Sequence, residues 1–288
     1  MNRGLLLATC AYLIWGFAAL YWVQTAPVSP LDLVAHRAAW SVPVVALCLL
    51  VMGRLLATLR LLADPKTMLI VACSALLQAT NWAIFLWAIS NERAAEASLG
   101  YFLLPLINVA IGIIVFKERI DLPQKIAIAF AVVGMLVLIG ENRGLPLVAL
   151  GVAVSFSIYG AVRKGIQLGA VEGLLLETLV MLPFAATWLV LRDGAGLGMH
   201  GLRVDAFLLG AGVMTAVPLM CYVAASRLTA LSALGLVFYL GPSSQLFVAI
   251  CIFGEPMNPV QLFAFALVWV GLGFVVADSL KRLRSVRA

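Results

Sequence analysis

Charge is what this sequence has least of. Of 288 residues only 11% are Asp, Glu, Lys or Arg while 64% are hydrophobic, against about a quarter charged and nearly half apolar in a soluble domain. That deficit excludes water as the main solvent. A hydrocarbon layer about 30 Å thick needs roughly 20 apolar residues as a helix, and only helices or closed barrels satisfy every backbone group there. The apolar runs are too long for barrel strands. Long polar stretches are missing too: none between the runs exceeds about fifteen residues, too few for a core of its own. Function must therefore reside in the membrane.

Catalytic and metal-binding patterns are equally scarce. Cys10, Cys48, Cys73, Cys221 and Cys251 all fall inside apolar runs, without CxxC spacing or nearby His, and read as small buried hydrophobes. No HExxH, GxSxG or Cys-His cluster is present, so an intramembrane enzyme has no nucleophile with its base and no metal centre, and neither metal nor cofactor is expected. A channel would show a ring or continuous lining of polar groups, whereas the polar residues here are isolated. A membrane-embedded receptor or scaffold stays open beside a transporter, although the short loops leave little surface for a partner. The formal net charge of +6 does not point to nucleic acid, because the basic residues lie between apolar runs and at the tail, where they set topology.

Ten helical spans are expected, near residues 5–23, 31–52, 67–89, 97–116, 124–140, 145–162, 171–191, 206–225, 230–253 and 260–280. The first has a basic start at Arg3, but Trp15, Tyr21 and Trp22 stand where a leader would have small residues, so it is expected to be retained. With the N-terminus in the cytoplasm, the inner segments hold Arg3, Arg54, Arg60, Lys66, Lys117, Arg119, Lys125, Arg163, Lys164, Arg227, Lys281, Arg282, Arg284 and Arg287. These are fourteen of the nineteen basic residues. The asymmetry places both termini in the cytoplasm and requires an even number of spans.

Sliding the chain against itself by 137 residues superimposes the fourth and fifth spans on the ninth and tenth. Pro105 then meets Pro242, Glu118 meets Glu255, Gln124 meets Gln261, Ala127 meets Ala264 and Gly134 meets Gly271. Asn108 meets Gln245 and Tyr101 meets Phe238, while slightly different offsets pair Trp15-Gly16 with Tyr159-Gly160 and Pro43 with Pro183. Apolar bias does not place Pro, Glu and Gln in one register. Residues 1–142 and 143–288 thus read as two five-span repeats, and an odd span number makes the second enter from the opposite side. The fold class expected is an all-α integral membrane protein of ten transmembrane helices in two inverted repeats. Such repeats imply alternating access to a midplane site.

The segments AYLIWG at 11–16, HRAAWS at 36–41, EASLGYFLLPLINV at 96–109, SFSIYGAVRK at 155–164, YLGP at 239–242 and FGEP at 253–256 resemble the RarD-type, chloramphenicol-sensitivity branch of the EamA family of drug/metabolite transporters. The likeness runs almost end to end. It implies a multi-pass protein of the bacterial inner membrane that exports or facilitates movement of a small metabolite or drug-like solute. It also implies a central cavity walled by the first, third and fourth spans of each half, with the lipid bilayer as surrounding partner and a homodimer left open. It names no substrate.

On the spans that the resemblance assigns to the cavity stand Trp15, Asn81, Trp82, Tyr101, Asn108, Tyr159, Tyr239 and Gln245. The repeat-related amides Asn108 and Gln245 are expected to border it together, since neither can face lipid. Two ionisable groups lie deep in spans. Arg37 suits a carboxylate or polarised oxygen of the cargo, and Glu177 a cationic group or a proton. Inverted topology separates them by about 12 Å along the membrane normal, so no direct bridge between them is expected. His36, beside Arg37, is a further candidate for proton coupling. Pro105 and Pro242 are the expected gate hinges. For each of these side chains an ordinary packing, interfacial or helix-to-helix hydrogen-bonding role is the competing reading.

Overall fold

The computed structural model describes residues 3–26, 28–91, 94–142, 147–254 and 259–285. Among them every regular element is helical. The first helix, α1 (Arg3–Trp22), ends in a 3-10 turn, Val23–Thr25. Next, α2 (Pro30–Val51) begins where the Ser29 side chain accepts the Asp32 N–H at 3.3 Å, and Pro30 occupies a first-turn position where its missing N–H costs nothing. A short amphiphilic helix that the apolar runs did not announce, α3 (Leu55–Arg60), leads to α4 (Pro65–Ser90), which Asp64 caps through the Thr67 and Lys66 N–H groups. There follow α5 (Ala94–Ile114), α6 (Leu122–Asn142), α7 (Leu147–Gly165), α8 (Ala170–Leu191) and α9 (Leu202–Leu228). Eight described helical stretches are long and apolar enough to cross a membrane, and Gly100–Ile114 and Leu262–Ala277 are shorter apolar helices.

The run expected at 230–253 is broken. It forms α10 (Leu231–Phe238), α11 (Leu240–Phe247) and a π turn, Val248–Ile252, before α12 (Pro259–Ser285). The interruption sits four residues before Pro242, which has no N–H for the Phe238 carbonyl. Pro105, which meets Pro242 in the 137-residue sequence register, lies inside an unbroken α5. Equal sequence positions thus carry unequal backbone.

Small residues set the closest helix approaches, because van der Waals packing, rather than hydrophobic exclusion, drives association in lipid. Helix α6 packs on α12, α2 on both α8 and α9, α1 on α9, α4 on α7, α5 on α7 and α10, and α1 on α10 and α11. A methyl group added to Gly134 would lie 3.0 Å from the Ala264 carbonyl, and one added to Gly271 2.9 Å from Ala127 Cα. These two contacts run antiparallel. So does the α2–α8 pair, in which Asp32 near the start of α2 accepts the Trp188 indole N–H at 2.9 Å near the end of α8 and lies 3.2 Å from Arg192. Outside, Leu50, Leu76, Phe184 and Val190 are largely exposed, an apolar surface that only a lipid environment satisfies.

Candidate functional site: a cavity among the helices

A cavity of about 540 Å³ lies between the helices and draws its wall from α1, α2, α4, α5, α7, α9, α10 and α11. It reaches from the α1–α2 connection, at Thr25, Ala26 and Val28, to a floor at Tyr12, Phe156 and Leu219 near the centres of their helices. Six of the ten expected cargo contacts, Trp15, Arg37, Asn81, Trp82, Tyr101 and Gln245, come together here, and the expected hinge residue Pro242 also lines the wall.

Arg37 is the one charged side chain among the described lining residues. Its Nε donates to Thr215 Oγ1 on α9 at 3.0 Å, and its Cζ lies 5.1 Å from the ring centroids of Trp22 and Trp82. A guanidinium is planar and weakly hydrated, so two indoles can shelter its faces where an ammonium would need water. The amides are partly committed. Asn81 Nδ2 donates to the Val152 carbonyl at 2.8 Å and to Ser155 Oγ at 3.0 Å, which fixes its amide orientation, and Gln245 Nε2 donates to the Trp15 carbonyl at 3.4 Å.

Glu177 does not reach the wall. It is buried beneath the floor, where Oε1 accepts from Ser74 Oγ at 2.6 Å and lies 3.4 Å from Arg163 Nε, while Oε2 accepts from Tyr159 at 3.2 Å. Arg163 is wholly buried and donates through Nη2 to the Gly169 and Ala170 carbonyls. Charge counting assigns Arg163 to a cytoplasmic segment; the fold instead draws it inward to neutralise Glu177. The available signal was spacing: Tyr159 and Arg163 are four apart on α7 and so share a face. Tyr159 therefore serves this network and lies outside the wall.

The remaining candidates separate from the cavity. Asn108 is fully buried on α5 against Gly235, with neither amide atom hydrogen-bonded among the described residues. It therefore does not join Gln245 at the wall. Tyr239 donates to the Phe102 carbonyl at 3.1 Å, tying α10 to α5. His36 accepts from Trp40 Nε1 through Nδ1 at 3.0 Å, so the proton belongs on Nε2, which faces the Ala195 carbonyl at 2.8 Å. Both ring nitrogens are engaged away from the cavity. Pro105 is buried in α5, where its carbonyl abuts Gly235.

The end of the bundle opposite the α1–α2 connection is held by a carboxylate clamp. Lys117 takes φ 54°, a left-handed conformation costing about 1 kcal/mol for a side-chain-bearing residue, and turns the chain so that the Glu118 N–H meets the Gly112 carbonyl at 2.9 Å. Glu118 then accepts the Leu231 and Ser232 N–H groups at 2.7 and 2.9 Å and the Ser232 hydroxyl at 2.8 Å, capping α10 from another helix pair. Lys164 lies 3.4 Å away and donates to the Thr229 carbonyl at 2.7 Å. Burial raises the Glu118 pKa, but the Ser232 and Leu231 donors with Lys164 outweigh it and hold the carboxyl below its ordinary value. The stabilisation is therefore complete above the ordinary glutamate pKa and is lost as pH falls through the depressed one. Glu118→Gln is expected to cost about 1–2 kcal/mol at neutral pH and to converge with the parent in acid, as read by thermal unfolding across pH. The repeat counterpart Glu255 lies outside the described residues.

Comparison with known proteins follows the same outline. The EamA-like transporter family pattern matches residues 2–140. Over 97% of its length the chain is 39% identical to Protein RarD of Salmonella typhi, covering 96% of that protein. It is 32% identical to the chloramphenicol-sensitive protein RarD of Pseudomonas aeruginosa strain PAO1, over 98% of this chain and 96% of that one. A solved structure at 20% identity superimposes with a TM-score of 0.71 over 95% of this chain and 97% of that chain. That likeness shows the fold.

Proposed function

The chain belongs to the EamA-like transporter family as a RarD-type member, and from that premise we propose that it is a secondary transporter moving a small solute by alternating access to the Arg37 cavity. The observation that carries the reading is the exchange relation between the helix contacts. Gly134 abuts Ala264 and Gly271 abuts Ala127; adding 137 to each residue of the first half turns one contact into the other. The same exchange of halves maps α1 on α9 onto α7 on α4, and α5 on α7 onto α10 on α1.

The charged residues obey the exchange as well. At the Pro43–Pro183 offset Arg37 corresponds to Glu177. Arg37 on α2 bonds Thr215 on α9, and Glu177 on α8 bonds Ser74 on α4, so each charge is held by the third span of the other half. One lines the cavity and the other lies beneath a closed floor. This is what two inverted repeats in unequal conformations require, and α5 against the broken α10–α11 supplies the unequal backbone. In this reading the ten helices are two five-span repeats, 1–142 and 143–288, with both termini in the cytoplasm of a bacterial cell and the cavity mouth outside. Exchange of the two conformations would close the Arg37 side and open the Glu177 side.

Cysteine labelling tests it. In a chain freed of its five native cysteines, single cysteines at Ala19 and Val34 should react with an impermeant thiol reagent from outside. One at Ser74 should react from the cytoplasmic side alone, and a tag beside Asn142 should be external. Ser74 and Ala19 opening to the same side at once would indicate a channel and overturn alternating access.

A further inference from the structure

Resting on the transport reading, we propose that the cargo is a small organic monoanion, a carboxylate on an apolar or aromatic body, seated with its carboxylate on Arg37. The wall contains one cation and no acid among its described residues. A cation held in the low-dielectric interior without a counter-charge is costly, and none of the described lining residues supplies one. The two Nη groups of Arg37 have no partner among the described residues, whereas Nε is anchored on Thr215 and the ring faces lie by Trp22 and Trp82. What is left is the paired N–H edge, whose geometry fits the two oxygens of a planar carboxylate.

Charge number and wall chemistry narrow the class further. A dianion would leave one negative charge unmatched, and an amine would meet like charge. The rest of the wall is mainly apolar, with Trp15, Phe85, Tyr101 and Phe156 among its rings, so the body of the cargo is apolar or aromatic. Tyr101 and Phe238 stack at 6.3 Å and an interplanar angle of 26°, leaving a flat surface on that side.

The test uses purified full-length protein in lipid nanodiscs, with quenching of indole fluorescence as readout and three near-isosteric probes: 3-phenylpropanoate, 3-phenylpropanamide and 3-phenylpropylamine. The carboxylate should bind about ten-fold or more tightly than the amide and the amine. Arg37→Gln should abolish that preference, and Arg37→Lys should keep part of it. The isostere ratio in the unaltered chain decides the matter even if Arg37→Gln fails to fold. Equal binding of the three, preference for the amine, a preference that survives Arg37→Gln, or no binding by any at millimolar concentration would each overturn the proposal. Flux in proteoliposomes separates it from the transport reading. Movement of amide or amine without preference for the carboxylate sinks the substrate class alone, and carboxylate binding without flux of any probe sinks transport alone.

Discussion

Replacing Arg163 with methionine should lower the stability of the folded protein by about 3–5 kcal/mol, because it leaves the Glu177 carboxylate buried with its counter-charge gone. Among the described residues Glu177 keeps only the Ser74 and Tyr159 hydroxyls, and two neutral donors do not replace a cation. The reverse change is expected to cost less. In Glu177→Gln the Arg163 guanidinium retains the Gly169 and Ala170 carbonyls, and the amide still accepts from Ser74. Pairing Arg163→Met with Glu177→Leu removes both charges and should recover most of the loss, since buried ion pairs contribute little net stability over apolar replacements of similar size. Denaturant or thermal unfolding of the four chains in mild detergent gives the double-mutant cycle. A double variant as unstable as Arg163→Met would show that Arg163 acts through packing on α8, where Gly173 leaves room for its guanidinium, rather than through charge.

Gly212→Ala should be nearly as damaging, about 3 kcal/mol, at the upper end of what one added methyl group costs in a packed interior. Its Cβ would meet the Trp40 carbonyl and the Ser41 nitrogen, backbone atoms of α2 that no rotamer change can move aside. Relief requires α9 to withdraw from α2. Thr215 is one turn from Gly212 on the same face of α9, so withdrawal also lengthens the Thr215–Arg37 bond. Stability and ligand affinity should therefore fall together, which distinguishes this change from one that only loosens the bundle. Gly140→Ala is the control. Among the described residues nothing lies within 4 Å of its added methyl group, so alanine's better helix propensity should leave stability unchanged or raise it by about 0.5–1 kcal/mol. Unfolding curves for both variants, with probe binding for Gly212→Ala, settle the contrast.

Apolar run length and charge placement were enough to locate the long helices, because in hydrocarbon a backbone has almost no alternative to intrahelical bonding. The run at 230–253 concealed its break, since Pro242 signals a kink without saying whether the chain bends through it, as at Pro105, or parts there. Arg37, Trp15, Asn81, Trp82 and Tyr101 were recognisable as polar or aromatic groups on the expected cavity spans, and they do meet. Asn108 shows the limit of that reasoning. An amide excluded from lipid can face either a cavity or another helix, and only rotation about the axis of α5 chooses between them. For Arg163 the limit was depth: a basic residue near a span end reads as a surface charge until the partner it neutralises is known.

What the sequence determined by itself was the solvent of the fold, the number and places of its apolar runs, and the register in which Pro, Gly and Glu recur. These are properties of single segments, written in hydrophobic length and in repeated Pro, Gly and Glu. Which charge lines the cavity and which is sealed beneath its floor was decided only by tertiary structure. Arg37 lines the cavity wall while Glu177 is buried against α4 and α7, and the difference lies in which helices pack around each. That difference is a property of how distant segments pack, and no single segment encodes it.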